Sequence, residues 1–141
     1  MTITVDVISD FVCPWCWVGK KQLAQVVDAP DYVLRWHPYL LHPDMPRDGV
    51  DRKSFMRTKF GSDERLRELA AGVLAAAAKV GLDLDFDRID RIPDTRAAHT
   101  LMRWAADAGR ADELAERLFS AHFAEGRNIG DPATLAAIAG E

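Results

Sequence analysis

Ile3-Thr4-Val5-Asp6-Val7-Ile8-Ser9-Asp10-Phe11-Val12-Cys13-Pro14-Trp15-Cys16 is the stretch whose reading decides the fold. Residues 3–8 are β-branched and roughly alternating, which is the pattern of a strand. A short loop, 9–12, leads to two cysteines separated by Pro14 and Trp15. Over 15–27 the apolar residues Trp17, Val18, Leu23, Val26 and Val27 suit a helix buried on one side. Pro14 fits the first helical position, where its missing N–H costs nothing, and Cys13 then stands at the N-cap. A turn-like cluster over 28–31, with Pro30, precedes a second strand over 32–37. Strand, helix and strand in so short a span form a βαβ unit, whose crossover is right-handed and whose strands are parallel.

The cysteine pair carries the chemistry. A thiolate attacks a disulfide, so a redox cysteine needs its pKa lowered from about 8.5. A helix start supplies roughly half a unit of positive charge and several unpaired N–H groups. The sequence puts Cys13 there as the nucleophile. Cys16, one turn on, is the resolving thiol and the more buried partner, releasing a mixed disulfide formed on Cys13. Trp15 is expected at the exposed rim, in reach of a substrate chain. Two other readings compete. A structural disulfide across three residues closes a very small loop and would stabilise by only about 2 kcal/mol. A zinc site needs four ligands, and His37, His42, His99 and His122 show no ligand spacing. These histidines read as structural, and Trp17, Trp36 and Trp104 as core.

Working outward, Pro38, Pro43, Pro46 and Gly49 mark an extended, turn-rich linker. Everything beyond it reads as helical. Residues 64–80 carry Leu66, Leu69, Val73 and Leu74 on helical spacing, with Gly81 closing the segment. Residues 94–108 repeat the pattern before Gly109, and 111–125 before Gly126. A last helix over 132–139 has Asp131 as N-cap and Pro132 at its first position. The expected organisation is a βαβ unit over residues 1–43, carrying the cysteine pair, and a helical block over 44–141. A two-stranded parallel sheet is rarely a complete fold, because its strands need cover and neighbours.

A length of 141 residues suffices for one hydrophobic core. The formal charge of -4 argues against nucleic-acid binding. Arg47, Arg52, Lys53, Arg57 and Lys59 cluster, but Asp44, Asp48 and Asp51 lie among them, so the cluster reads as a solvated face. No apolar run approaches a membrane span. With Met1 as the start, the opening residues hold no secretory signal. The expected location is cytoplasmic, where two cysteines serve catalysis or metal binding better than architecture.

Several stretches together resemble a known family. They are Ser9-Asp10-Phe11-Val12-Cys13-Pro14-Trp15-Cys16-Trp17-Val18-Gly19-Lys20, then Trp36-His37-Pro38-Tyr39-Leu40-Leu41-His42-Pro43 and Gly81-Leu82-Asp83. Thr95-Arg96-Ala97-Ala98-His99 and Leu118-Phe119-Ser120-Ala121-His122-Phe123-Ala124-Glu125-Gly126 continue the likeness. The chain resembles DsbA-like thioredoxin-domain proteins of the FrnE type, a group related to 2-hydroxychromene-2-carboxylate isomerases and kappa-class glutathione transferases. The resemblance implies an α/β fold, a thioredoxin-like βαβ core with an all-helical insertion. It implies a thiol–disulfide oxidoreductase without a bound cofactor, with Cys13 and Cys16 catalytic and Phe11, Pro14 and Trp15 facing the substrate. Its partners would be protein or small-molecule thiols and disulfides, with no nucleic acid or membrane. Pro14-Trp15 offers the thiolate no cation, so a centre less oxidising than DsbA is expected. Members of the isomerase branch carry serine at the first cysteine position and use glutathione. Cysteine at both positions here favours dithiol chemistry, with the glutathione-dependent isomerase or transferase as the alternative, and a non-catalytic remnant as a third. The family continues past a segment like 131–139 into two further strands and a cis-proline loop facing the cysteines. Those elements are absent here, so the chain is expected to be an N-terminal piece of a longer protein, and its unpaired sheet edges favour a homodimer.

Overall fold

A computed structural model describes residues 2–27 and 31–141; the turn expected over 28–31 lies, for 28–30, outside the described residues. Strand β1 (Ile3–Ser9) leads through a four-residue loop to helix α1 (Pro14–Val26), and strand β2 (Tyr32–Pro38) follows. After the linker come β3 (Val50–Asp51), α2 (Arg52–Phe60), α3 (Asp63–Lys79) and β4 (Arg91–Ile92). Helices α4 (Arg96–Asp107), α5 (Ala111–Phe123) and α6 (Pro132–Ala139) complete the order. β1 and β2 pair in parallel, Val5 beside Leu34 and Val7 beside Trp36, as the βαβ reading requires. The opposite face of this pair holds Asp6, whose carboxylate accepts from Arg35 Nε at 2.8 Å and lies 2.8 Å from His37 Nε2.

The reading of 44–141 as purely helical needs correction. β3 and β4 form a two-residue antiparallel ladder, too short to leave an alternating pattern in the sequence. The space between them and the linker is tight, since a Cβ on Gly49 would meet the Ile92 carbonyl oxygen at 2.4 Å and the residue sits at φ +73°. Only glycine fits there. Helix α2, in turn, starts with Asp51 accepting from the Ser54 amide and ends at Gly61. α3 follows at once, capped by Ser62, with Asp63 and Glu64 in its first turn, where acidic side chains meet the positive end of the helix.

One cluster of buried side chains joins the two halves of the chain. Phe11, Trp17 and Val18 pack with Val73 and Ala77 of α3, Met102 of α4, Leu118 and Phe119 of α5, and Ile138 of α6. Trp17 stacks between Phe119 and Phe123, with ring centroids 6.2 Å from each, and its Nε1 donates to Glu116 at 3.1 Å. Lys20 and Lys21 bind the same carboxylate. The first helix therefore lies on α5 by packing and by charge. Trp104 departs from expectation. It is 65% exposed, because the buried face of α4 runs through Ala98, His99 and Met102 and Trp104 falls off that stripe.

The loop from β1 to α1 takes its shape from Asp10, only 2% exposed. One carboxylate oxygen accepts from the Phe11 amide and the other from the Leu41 amide, each at 2.8 Å. His99 Nε2 lies 3.0 Å from Asp10 Oδ1 and 3.1 Å from the Tyr39 carbonyl oxygen. Both neighbours are acceptors, so Nε2 carries the proton and donates to them. Removing the carboxylate would strand three buried donors or weaken their bonding, at about 1–3 kcal/mol for each unsatisfied group. Asp10→Ala should therefore lose on the order of 3 kcal/mol in urea unfolding; a loss below about 1 kcal/mol would show that the clamp contributes little.

Candidate active site

Cys13 is the N-cap of α1 with extended backbone (φ -101°, ψ 110°), and Pro14 occupies the first turn. Both cysteines are free thiols, and both are half-buried, so Cys16 is not set apart by depth. The two thiols titrate as a pair. The neighbouring Cys13 thiol pulls the Cys16 thiol down, against its own burial, to about 6; the Asp10 amide helps, while the Asp10 carboxylate opposes. Cys13 moves the other way. The neighbouring Cys16 thiol raises it, as do burial and the Cys16 charge, although the amides of Cys16 and Trp15 at the helix start lower it. The pair thus gives up its first proton easily and holds the second. The amides of Trp15 and Cys16 lower Cys13, as its place at the helix start implies, while the neighbouring thiol raises it; the low first step belongs to the pair.

Beside Cys13 opens a cavity of about 480 Å³. It is lined by Val12, Cys13, Pro14 and Trp15, by residues of α2 and α3, and by His122 and Phe123 of α5. Cys13, Pro14 and Trp15 are thus brought together at its edge, with Trp15 exposed at 52%. Phe11 is not. Expected to face substrate, it is 1% exposed, its ring 5.0 Å from both the His99 and the Phe119 rings. It is a core residue, because the Asp10 clamp turns its side chain inward onto α4 and α5. The basic cluster also needs correction: Arg52 lines the cavity and is partly buried, whereas a solvated face was expected. A signal was available in Phe55, Met56 and Phe60, apolar at helical spacing among the basic residues.

Of the four histidines expected to be structural, His99 and His122 have different surroundings. His99 serves the Asp10 clamp. His122 is 2% exposed and lines the cavity; burial, with the Arg52 charge, pushes its imidazole down to about 4, against a smaller pull from Asp10. Burial lifts the Asp10 carboxyl, but hydrogen bonds from His99, the Leu41 amide and Thr95 outweigh that and hold it below the ordinary range. Among the described residues no three His, Cys, Asp or Glu side chains converge as a metal site, and no helix is long and apolar enough to cross a membrane.

A cysteine pair at the head of the first helix in a parallel βαβ unit, with a helical block beside it, defines a thioredoxin-like domain. The family description "DSBA-like thioredoxin domain" matches residues 4–141, and the chain belongs to that family. It is 28% identical over 141 residues to the uncharacterized protein YwbO of Bacillus subtilis (strain 168), covering all of this chain and 66% of that protein. It is also similar to a solved structure, described as a probable DsbA oxidoreductase, SCO1869 from Streptomyces coelicolor. That match has a TM-score of 0.86 and 27% identity over 97% of this chain and 61% of the other. The chain thus spans under two thirds of the length of these relatives. They place it in a family of thiol–disulfide oxidoreductase type.

Two measurements test these electrostatics. The pH profile of thiol alkylation should show a midpoint near 6, and Cys13→Ala should move the Cys16 midpoint upward by removing the neighbouring thiol; an unmoved midpoint would exclude the coupling of the pair. Folded His122 stays neutral down to about 4, while the unfolded chain takes a proton near 6.5. Between these values the unfolded state binds more protons, so stability falls as the medium is acidified. The loss between pH 7 and pH 5 should be smaller by about 2 kcal/mol in His122→Phe than in the parent, read by urea unfolding at both pH values. Equal losses would place His122 in water rather than in the core.

Proposed function

We propose that this chain exchanges a Cys13–Cys16 dithiol or disulfide with protein or small-molecule thiols. The observation that carries the reading is the pair itself: two free cysteines at the head of α1, the first beside an open cavity, titrating together with a first proton loss pulled down to about 6. At neutral pH such a pair holds one thiolate, the species that attacks sulfur. Membership in the DSBA-like family and the likeness to the Streptomyces coelicolor protein support it.

The mechanism follows from which sulfur meets which surroundings. Cys13 borders the cavity, so an incoming disulfide reaches its Sγ. As Cys13 attacks, its proton passes to the neighbouring Cys16 thiolate, and the Trp15 and Cys16 amides receive the charge forming on Cys13. One substrate thiolate leaves, and Cys13 carries the mixed disulfide. Cys16 then loses its proton to solvent and attacks the Cys13 sulfur, expelling the second thiolate. The pair ends oxidised and the substrate reduced; the same steps run backward from the oxidised pair.

In an insulin-reduction assay driven by dithiothreitol, Cys13→Ser should fall to the uncatalysed rate. Cys16→Ser should accumulate a mixed disulfide visible by intact mass. Undiminished turnover in Cys13→Ser would overturn the proposal.

A further inference from the structure

We propose that the cavity beside Cys13 binds small apolar disulfides or thiols that carry a carboxylate, with Arg52 and Lys59 as the partners of that carboxylate. The inference rests on the redox reading of the pair and adds the class of substrate. A volume of about 480 Å³ lies within the range of small-molecule sites, roughly 300–1,000 Å³. The walls are mostly apolar, with Met56 and Phe60 from α2, Leu69 and Val73 from α3, and Phe86. Built mainly from helical side chains, they suit a compact apolar body better than an extended peptide, which needs backbone partners.

Two cations face this apolar space. The Arg52 guanidinium is partly buried and lies 5.3 Å from the centroid of the Phe86 ring. Among the described residues no carboxylate lies within ion-pair distance of it; Asp87 acts on it only at longer range. Burial opposes its charge, and a buried charge without a partner is costly. A bound carboxylate relieves that cost, since the planar guanidinium accepts one in a two-point contact. Lys59 Nζ lies 3.2 Å from His42 Nε2 and donates to an imidazole whose own protonation is opposed by burial and by the Lys59 charge. The one acid lining the cavity, Glu68, is exposed and pairs with Arg65 at 3.7 Å. The local field therefore favours an anion in the cavity that Cys13 borders.

In the proposed step Cys13 sulfur bonds to one sulfur of the bound disulfide, the S–S bond breaks, and one carboxylate-bearing thiolate leaves with the electron pair. Cys16, its proton lost to solvent, displaces the second thiolate. The pair loses two electrons and the substrate gains them. The matched probes are dithiobis(nitrobenzoate) and its uncharged dimethyl ester, each mixed with the reduced chain in stopped flow and referenced to N-acetylcysteine. The carboxylate probe should show saturating kinetics and a preference over the ester about tenfold above that of the free thiol. Arg52→Met combined with Lys59→Met should bring the preference down to the free-thiol value. A preference at that value in the unmodified chain overturns the inference without any variant, so a misfolded variant does not leave it undecided. The preference is read on the first exchange step and does not require the pair to close. Alkylation of the same samples shows whether the pair closes, and failure to close would overturn the functional reading alone.

Discussion

The carboxylate of Asp10 is where three parts of the chain meet: the loop that carries the cysteines, the segment leaving β2, and the first turn of α4. An ionised group so deeply buried is tolerated only when donors surround it. Here they are the amides of Phe11 and Leu41 and the imidazole of His99. Because the amides are backbone groups, the contact fixes the path of the chain as well as side chains. It sets Phe11 into the core against Phe119 and brings Cys13 out at the head of α1, facing the cavity. The same negative charge works against a thiolate on Cys16. The loop is held in shape by a group that, by itself, makes its chemistry harder.

The opposition is answered inside the pair. Cys16 is pulled down chiefly by the Cys13 thiol, and secondarily by the Asp10 amide. Residue 10 thus acts twice, through an amide that stabilises a sulfur anion and through a carboxylate that repels it. Two close thiols behave as one titrating unit with a low first step and a high second step. The helix start contributes, but its amides reach Cys13 as the smaller part of the balance.

The sequence made the βαβ unit legible because each of its elements carries a local signal: alternation in β1, a proline at the first turn of α1, a β-branched run in β2. Helices α3 to α6 were readable from periodicity and from closing glycines or caps. Helix α2 falls within the expected helical block but without bounds of its own, because its charged residues hide Phe55, Met56 and Phe60, and β3 and β4 are too short for any period to show. The positions of Phe11, Asp10 and His99 could not be read from local pattern. Asp10 and His99 lie 89 residues apart, and nothing in either neighbourhood announces the other. Arg52 was misread for the same reason: its burial is a property of α3, Phe86 and α5 meeting around it, while its own neighbours in the sequence are charged. What was visible of the site was therefore the reacting sulfurs; what was hidden was the pocket they face.

Pocket and sulfurs fit together through the placement of charge. A permanent thiolate on Cys13 would sit beside an apolar space and would bear the cost of lost hydration there. With a single negative charge on the pair, the sulfur that borders the cavity can be the neutral thiol, which an apolar substrate approaches without competing with water. In the proposed exchange, charge appears on Cys13 as it attacks, when its proton moves to Cys16 and the helix-start amides take up the new anion. This order lets the sulfur that borders the cavity make the bond although the pair as a whole carries one negative charge. It also gives the cations of the cavity a role apart from activating the thiol: Arg52 and Lys59 hold a distal carboxylate in the proposed complex, leaving the reacting sulfurs to the helix start and to each other.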